Sequence, residues 1–230
     1  AQTEANLRWL INESNAHLHT DLIFGLPGET LDSFATGFDR LMAIGPQEIQ
    51  LGILKRLRGT PIARHTAPFE MVYDEQPPYV VRQTKDLDAA TLQRFTRMAK
   101  YWDLVANSGR FKTSLPLILN PMQAHHSSFW SFMHFSDAVW QATGATYGLT
   151  PEVLVDQVFE YLTVSRELNA DRVRRLLLQD YVASGARARP LCLANEQLPL
   201  GGDRSDAVVH ETARHGLRDR QNRHVDVKSS

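Results

Sequence analysis

The chain has 230 residues, of which 43% are hydrophobic and 22% are charged, and this length is sufficient for a buried core in one or two domains. Its formal net charge is −1, so no general basic field indicates nucleic acid as a partner. The sequence contains no apolar run of the about 20 residues that cross a bilayer, and its polar start does not resemble a signal peptide. A single cysteine, Cys192, excludes an internal disulfide and is typical of a cytoplasmic protein, which is the predicted location.

The first part of the chain predicts a strand–helix–strand unit. Residues 4–14 carry apolar side chains at helical spacing, and the segment AHLHTDLIF, residues 16–24, predicts a buried strand. A helix that begins with Thr30 as its cap is expected to end at Gly45-Pro46. The alternating apolar residues of EIQLGILKRL, residues 48–57, predict a second strand. This order of elements predicts a parallel pair of strands with a right-handed crossover.

The second part of the chain predicts helices. Residues 63–87 contain three prolines and are interpreted as a long, irregular linking segment. Four helices are predicted after it, over residues 88–107, 129–143, 150–168 and 171–183. We therefore expect a helical half that lies apart from the strand–helix–strand unit. Residues from 196 onward mix charges of both signs with few large apolar side chains, which predicts a disordered tail.

The stretch HLHTDLIFGLPGET, residues 17–30, raises three hypotheses, of which the first is a metal site. On a strand, alternate residues share a face, so His17, His19 and Asp21 would point the same way. Imidazole suits zinc, as in metal-dependent hydrolases, but such a site needs further ligands at later strand ends. The other histidines fall outside the predicted strands, so metal ligation is not favoured. A hydrolase of this kind would contain zinc when purified.

The second hypothesis is a phosphate-binding loop. Such a loop needs a lysine and a hydroxyl residue directly after its second glycine, whereas GLPGET has Glu29 and Thr30 there. The negative charge of Glu29 favours the helix dipole and opposes a phosphate. We therefore interpret this turn as the start of a helix.

The third hypothesis is the edge of a cofactor pocket. In α/β proteins, ligands bind at the carboxyl ends of the strands. Residues 21–25 form the end of the first predicted strand, and residues 54–58 form the end of the second. The carboxylate of Asp21 can accept hydrogen bonds from ribose hydroxyls or an amino group, and Gly25 lets a flat ring approach the backbone.

The motif DLIFGLPGET, followed by GPQEIQLGILKRLRGTPI, resembles the fifth and sixth strands of the radical S-adenosylmethionine (SAM) barrel, in the branch that carries a cobalamin-binding domain. PPYVVRQT, YWDLVANSGRF and LLLQDYVASGARARP resemble the helical, DUF4080-like domain of unknown function that follows the barrel. The resemblance implies an α/β fold, with the carboxyl-terminal part of a partial (β/α)6 TIM-like barrel followed by a mostly α-helical domain. The expected domains are the barrel part over residues 1–62, the linker and helical domain over residues 63–195, and the charged tail over residues 196–230.

The resemblance also implies a chemistry. Members of this superfamily cleave SAM reductively to a 5′-deoxyadenosyl radical on a 4Fe-4S cluster, which three cysteines of a CxxxCxxC loop hold. That loop is absent here, and Cys192 matches none of its positions. We therefore expect the carboxyl-terminal portion of a longer enzyme, inactive by itself, with SAM and the cluster as cofactors of the parent and cobalamin as a further candidate. The expected partners are a small-molecule substrate of unknown identity, the missing amino-terminal barrel half and, as a further candidate, a cobalamin-binding domain. No catalytic residue is assigned.

Five site residues are carried over by the same resemblance. Asp21 would contact the ribose or methionyl portion of SAM. Ile23 and Gly25 would line the adenine side. Leu54 and Lys55 would present backbone groups to adenine.

Plainer interpretations stand beside these assignments. Ile23 fits the core of a strand equally well. Lys55, Arg56 and Arg58 are also consistent with a solvated rim. The aromatic residues of the second half are typical of a helix core rather than a substrate pocket; they are Phe129, Trp130, Phe132, Phe135 and Trp140.

Two rival functions remain open at this point. An oxygen-independent coproporphyrinogen oxidase or haem-chaperone type of radical SAM protein shares the DLIxGLP strand. A non-catalytic interaction module left by truncation is the alternative of a different class. A CxxxCxxC motif in the reading frame upstream of this chain would favour an enzyme, and a nearby start codon without that motif would favour the module.

Overall fold

The computed structural model describes residues 2–121, 126–186 and 188–196, which form a mixed α/β structure that is mostly helical. The helices are α1 (Gln2–Glu13), α2 (Leu31–Ile44), α3 (Ala89–Val105), α4 (Leu115–Leu119), α5 (Ser128–Thr143), α6 (Pro151–Glu160) and α7 (Ala170–Ala183). The strands are β1 (His19–Phe24), β2 (Glu48–Ile53), β3 (Val72–Tyr73) and β4 (Val81–Gln83). No helix in these three ranges is long and apolar enough to span a membrane. The predicted tail beyond residue 196 lies outside the described residues.

The predicted parallel pair of strands is confirmed. β1 and β2 run parallel, with His19 opposite Glu48 at one end and Phe24 opposite Ile53 at the other. The helix between them starts with a reciprocal cap, because the Thr30 hydroxyl accepts from the Ser33 amide at 3.1 Å and the Ser33 hydroxyl accepts from the Thr30 amide at 3.0 Å. The described residues contain two sheets of two strands each, so the partial barrel stays a prediction.

A cluster of aromatic rings joins the strands to the helices. The Phe24 ring centroid of β1 lies 4.9 Å from that of Phe34 in α2 and 4.2 Å from that of Phe95 in α3. The cluster continues through Trp102 to Phe132 of α5, at 4.9 Å. All of these rings contribute buried apolar area, and the Phe24–Phe34 and Trp102–Phe132 pairs also make favourable edge-to-face contacts. Phe129, Phe132 and Phe135 are fully buried, as expected for a helix core, whereas Trp140 is 36% exposed.

Direct hydrogen bonds also connect α3, and Asn107 just after it, to the parallel strands. The Trp102 indole N–H donates to the carbonyl of Ile49 in β2 at 2.8 Å, and the Asn107 side-chain amide donates to the same carbonyl at 3.0 Å. The expectation that the helical half lies apart from the strand–helix–strand unit is therefore wrong. The apolar stripes of the helices were recognisable in the sequence, but a stripe does not indicate which other element it packs against.

The segment predicted as an irregular linker has regular structure. A 3₁₀ helix, Pro61–His65, is followed by the antiparallel pair of β3 and β4. Val81 of β4 is buried, and its amide donates to the Leu54 carbonyl at 2.9 Å, so the pair is fastened to the end of β2. Strands of two and three residues are too short to produce a visible alternation in the sequence.

The last helices follow the prediction with one change. Thr150 caps α6 ahead of Pro151, but the α-helix ends at Glu160 and continues as a π-helix, Tyr161–Ser165, instead of reaching Leu168.

α7 contributes the buried carboxylate of Asp180, which accepts hydrogen bonds from the amides of Thr113 and Ser114 at 2.8 and 2.9 Å. These bonds fix the connection that leads into α4, the short helix that the sequence analysis missed.

Trp102→Phe tests the hydrogen bond between α3 and β2. We expect the free energy of unfolding to fall by at least about 1 kcal/mol, because the indole donor is lost and the smaller ring leaves space in the core. Trp9→Phe is the matched control, since Trp9 is 62% exposed, and it should change the free energy by less than about 0.5 kcal/mol. Urea denaturation of both variants checks this expectation. Equal effects in the two variants would contradict it.

Candidate functional site

One face of the β1–β2 pair is uncovered in the described residues. The side chains of β1 alternate, so His19, Asp21 and Ile23 lie on the opposite face from Phe24, which is packed against α2 and α3. The Asp21 side chain is 66% exposed and Ile23 is 46% exposed. The interpretation of Ile23 as a strand core residue is therefore wrong. Gln50, opposite Asp21 on β2, extends the same exposed face.

The two histidines of the motif have different positions. β1 begins at His19, so His17 precedes the strand, and the prediction that it shares a strand face with His19 is wrong. The imidazole of His19 lies 2.9 Å from the Glu48 carboxylate and 3.1 Å from the Gln50 side-chain oxygen. The hydrogen bond to Gln50 and the charge of Glu48 raise the pKa of His19, because both favour the imidazolium form. Within the described ranges, no three or more His, Cys, Asp or Glu side chains are grouped to hold a metal ion.

The turn after β1 is closed by Glu29. Its carboxylate accepts hydrogen bonds from the amides of Gly25 at 2.8 Å and Leu26 at 3.3 Å. Burial raises the pKa of this carboxyl, and the two amide donors act in the opposite direction. Sequence reasoning assigned Glu29 only to the start of α2. The spacing of four residues between Gly25 and Glu29, across the turn Gly-Leu-Pro-Gly, was the signal that a carboxylate could reach back to the strand end.

Gly25 lies between the turn and the neighbouring hairpin. Its φ is +91°, a left-handed conformation that favours glycine, and a Cβ here would lie 2.8 Å from the Val81 side chain. Packing against β4 therefore accounts for glycine at this position. A flat ring that approaches Gly25 has to come from a side that Val81 does not occupy.

The end of β2 is held by main-chain hydrogen bonds. The Leu54 amide donates to the Phe24 carbonyl at 2.9 Å, and the Leu54 carbonyl accepts from the Val81 amide at 2.9 Å. The Lys55 carbonyl accepts from the Leu57 amide at 3.0 Å, while the Lys55 side chain is exposed. The structure thus brings the five predicted site residues together at the paired strands. Asp21, Ile23 and the Lys55 side chain are open to a ligand, whereas the Leu54 amide is engaged within the chain.

The only cysteine lies elsewhere in the fold. Cys192 sits in the 3₁₀ helix Leu191–Leu193, where its amide donates to the Asp156 carboxylate at 2.8 Å. Burial raises the pKa of the Cys192 thiol, and the charge of Asp156 raises it further. Since iron-sulfur clusters are bound by thiolates, usually several of them, the residues of this chain do not fit a cluster.

These features define a mixed α/β protein with exposed polar side chains on one face of a parallel pair of strands. Residues 67–225, well over half of the chain, match the model of a family described as a protein of unknown function, DUF4080. The chain therefore belongs to the DUF4080 family. The match begins after the strand–helix–strand unit and includes the helices α3 to α7. No curated protein matches the chain.

The position of His19 predicts a pH dependence. The pKa of His19 is raised above 6.5, so the contacts of its imidazolium with Gln50 and Glu48 stabilise the fold fully below pH 6.5. This stabilisation is lost as the pH rises through the folded-state pKa. We expect the thermal midpoint to fall more between about pH 6 and about pH 8 in the native chain than in His19→Gln. His17→Gln, which alters an exposed histidine ahead of the strand, should keep the native pH dependence. Differential scanning fluorimetry tests this, and an unchanged slope in His19→Gln would contradict it.

The hydrogen bonds of Glu29 predict that its replacement by Ala destabilises the fold more than its replacement by Gln. Glu29→Ala removes the acceptor of two amides and should lower the free energy of unfolding by about 1–3 kcal/mol. Glu29→Gln should cost less, because its side-chain oxygen can still accept and carries no charge to desolvate. Glu75→Ala, at an exposed position, serves as the control. Denaturant titration of the three variants makes the comparison, and a Gln variant as unstable as the Ala variant would refute the proposed role of the acceptor.

Proposed function

We propose that this chain forms the carboxyl-terminal part of a radical SAM enzyme and contributes one wall of its SAM pocket. The observation that carries the proposal is the uncovered face of β1 and β2. Parallel sheets are normally covered on both faces, and two strands rarely stand alone. In a β/α barrel, helices cover the outside and the opposite face lines the interior. A pair of strands with α2 on one face and exposed Asp21 and Ile23 on the other fits a segment of such a barrel.

The outer edge of β1 supports the same proposal. In a parallel pair, successive residues direct their main-chain groups to opposite sides. The Leu18 carbonyl accepts from the Glu48 amide of β2, and the Phe24 carbonyl accepts from the Leu54 amide just after β2. The main-chain groups of His19, Asp21 and Ile23 therefore point away from β2. No strand in the described residues pairs with that edge. An additional barrel strand would pair with this edge and extend the sheet, so that the exposed face would line the barrel interior.

The residues of the exposed face have separate roles in this proposal. Asp21 accepts hydrogen bonds from the ribose hydroxyls or the amino group of SAM, and Ile23 provides an apolar surface for adenine. Since the Leu54 amide already donates to Phe24, this strand contributes to adenine binding through Lys55 and not through Leu54. The cluster cysteines come from outside the chain, so its residues bind and orient ligands and deliver no electrons.

The closest test uses the protein expressed from its complete reading frame. Isothermal titration calorimetry with SAM should show that Asp21→Ala weakens binding by about 1–3 kcal/mol, roughly 5- to 150-fold in Kd, because a charged acceptor is lost. Asp86→Ala is the control, since its exposed side chain makes no hydrogen bond among the described residues and lies outside the proposed site. Equal SAM affinity in the Asp21→Ala and native proteins would contradict the assignment.

Activity of the same protein separates an enzyme from a binding module. After anaerobic reconstitution, we expect iron-sulfur absorbance and the formation of 5′-deoxyadenosine under reducing conditions. A complete reading frame without a CxxxCxxC motif, or a reconstituted protein without 5′-deoxyadenosine formation, would instead favour the interaction module.

A further inference from the structure

A short basic segment follows the parallel strands. We define the basic loop as residues 55–58, Lys-Arg-Leu-Arg, which come directly after Leu54. The hydrogen bond from the Leu54 amide to the Phe24 carbonyl holds the two strand ends side by side, so the loop starts next to the end of β1. This edge of a parallel sheet is where α/β proteins bind their ligands.

The main chain of the basic loop is fixed by hydrogen bonds. The Arg56 amide donates to the Tyr79 carbonyl at 3.0 Å, and the Leu57 amide donates to the Lys55 carbonyl at 3.0 Å. The Thr60 hydroxyl donates to the Leu57 carbonyl at 2.7 Å. A loop that is ordered before binding loses less conformational entropy when a ligand arrives.

The three cations of the loop are exposed and have no acidic partner. Lys55, Arg56 and Arg58 make no ion pair with a carboxylate in the part of the chain that the structure describes. The neighbouring Arg82 differs, because it is paired with Asp74. The Arg56 guanidinium instead lies over the Tyr73 ring, 5.1 Å from the centroid, which orients it without neutralising its charge.

A solvated rim is the simpler interpretation of such residues, but two features oppose it. Three like charges within four residues repel one another, in a chain whose formal net charge is only −1. The loop also holds these charges on an ordered main chain at the edge where a substrate would enter. An anionic ligand relieves the repulsion, and guanidinium groups bind phosphate or carboxylate oxygens in pairs.

We propose that the two arginines of the basic loop bind an anionic group of the substrate, so that the reaction acts on a molecule with a phosphate group or several carboxylates. The inference rests on the proposed function for the position of the substrate beside SAM. It adds that Arg56 and Arg58 are substrate-binding residues, a role separate from that of Asp21.

Calorimetric titration of the full chain with inorganic pyrophosphate and, separately, with citrate tests the proposal. The native chain should bind at least one of these anions, and the double variant Arg56→Gln/Arg58→Gln should bind it at least about tenfold more weakly. The matched control is Arg172→Gln/Arg175→Gln, which removes two exposed arginines of α7 and changes the net charge equally. The control should bind within about twofold of the native affinity.

The outcomes divide clearly. Preference for pyrophosphate assigns a phosphate-bearing substrate, and preference for citrate assigns a polycarboxylate. Failure of the native chain to bind either anion, or equal weakening in the control variant, would overturn the proposal. SAM binding by the protein from the complete reading frame is measured in parallel. If the native protein does not bind SAM, the proposed function is contradicted. If it binds SAM but neither anion, only the role of the basic loop is contradicted.

Discussion

The burial of Phe24 at the end of β1 is the constraint on which the rest of the structure depends. Its ring lies against Phe34 of α2 and Phe95 of α3. Because strand side chains alternate between faces, this packing determines that Asp21 and Ile23 lie on the opposite, exposed face. The hydrogen bond from Trp102 to the Ile49 carbonyl then fixes α3 against β2. One core contact thus sets the direction in which the candidate ligand-binding residues point.

The part of the chain that matches the DUF4080 family packs directly against the parallel strands and shares their core. Phe95, within the matched residues 67–225, completes the aromatic cluster beneath β1. Val81, also within the match, fills the space beside Gly25 and bonds to the end of β2. A change in the helical part would therefore alter the strand ends, since the two parts share one core.

Most elements were predictable from the sequence because each has a local signal. Each of these signals involves residues only a few positions apart in the sequence: the cap at Thr30, the glycine at position 45 and the apolar stripe of α3. What could not be predicted depends on distant partners. The exposure of Ile23 follows from which face of β1 packs on Phe95, and the short strands β3 and β4 are stabilised by contacts that involve Leu54. The role of Glu29 was missed because its bonds run backward to Gly25 and Leu26, although the spacing permitted them.

We propose above all that the exposed face and carboxyl end of β1 form a SAM-binding surface. Hydrogen–deuterium exchange of the protein from the complete reading frame, with and without SAM, tests it most directly. We expect slower exchange in the segment that contains Asp21 and Gly25 when SAM is present, with no change in α7. Unchanged exchange in that segment under saturating SAM would contradict the proposed SAM-binding surface.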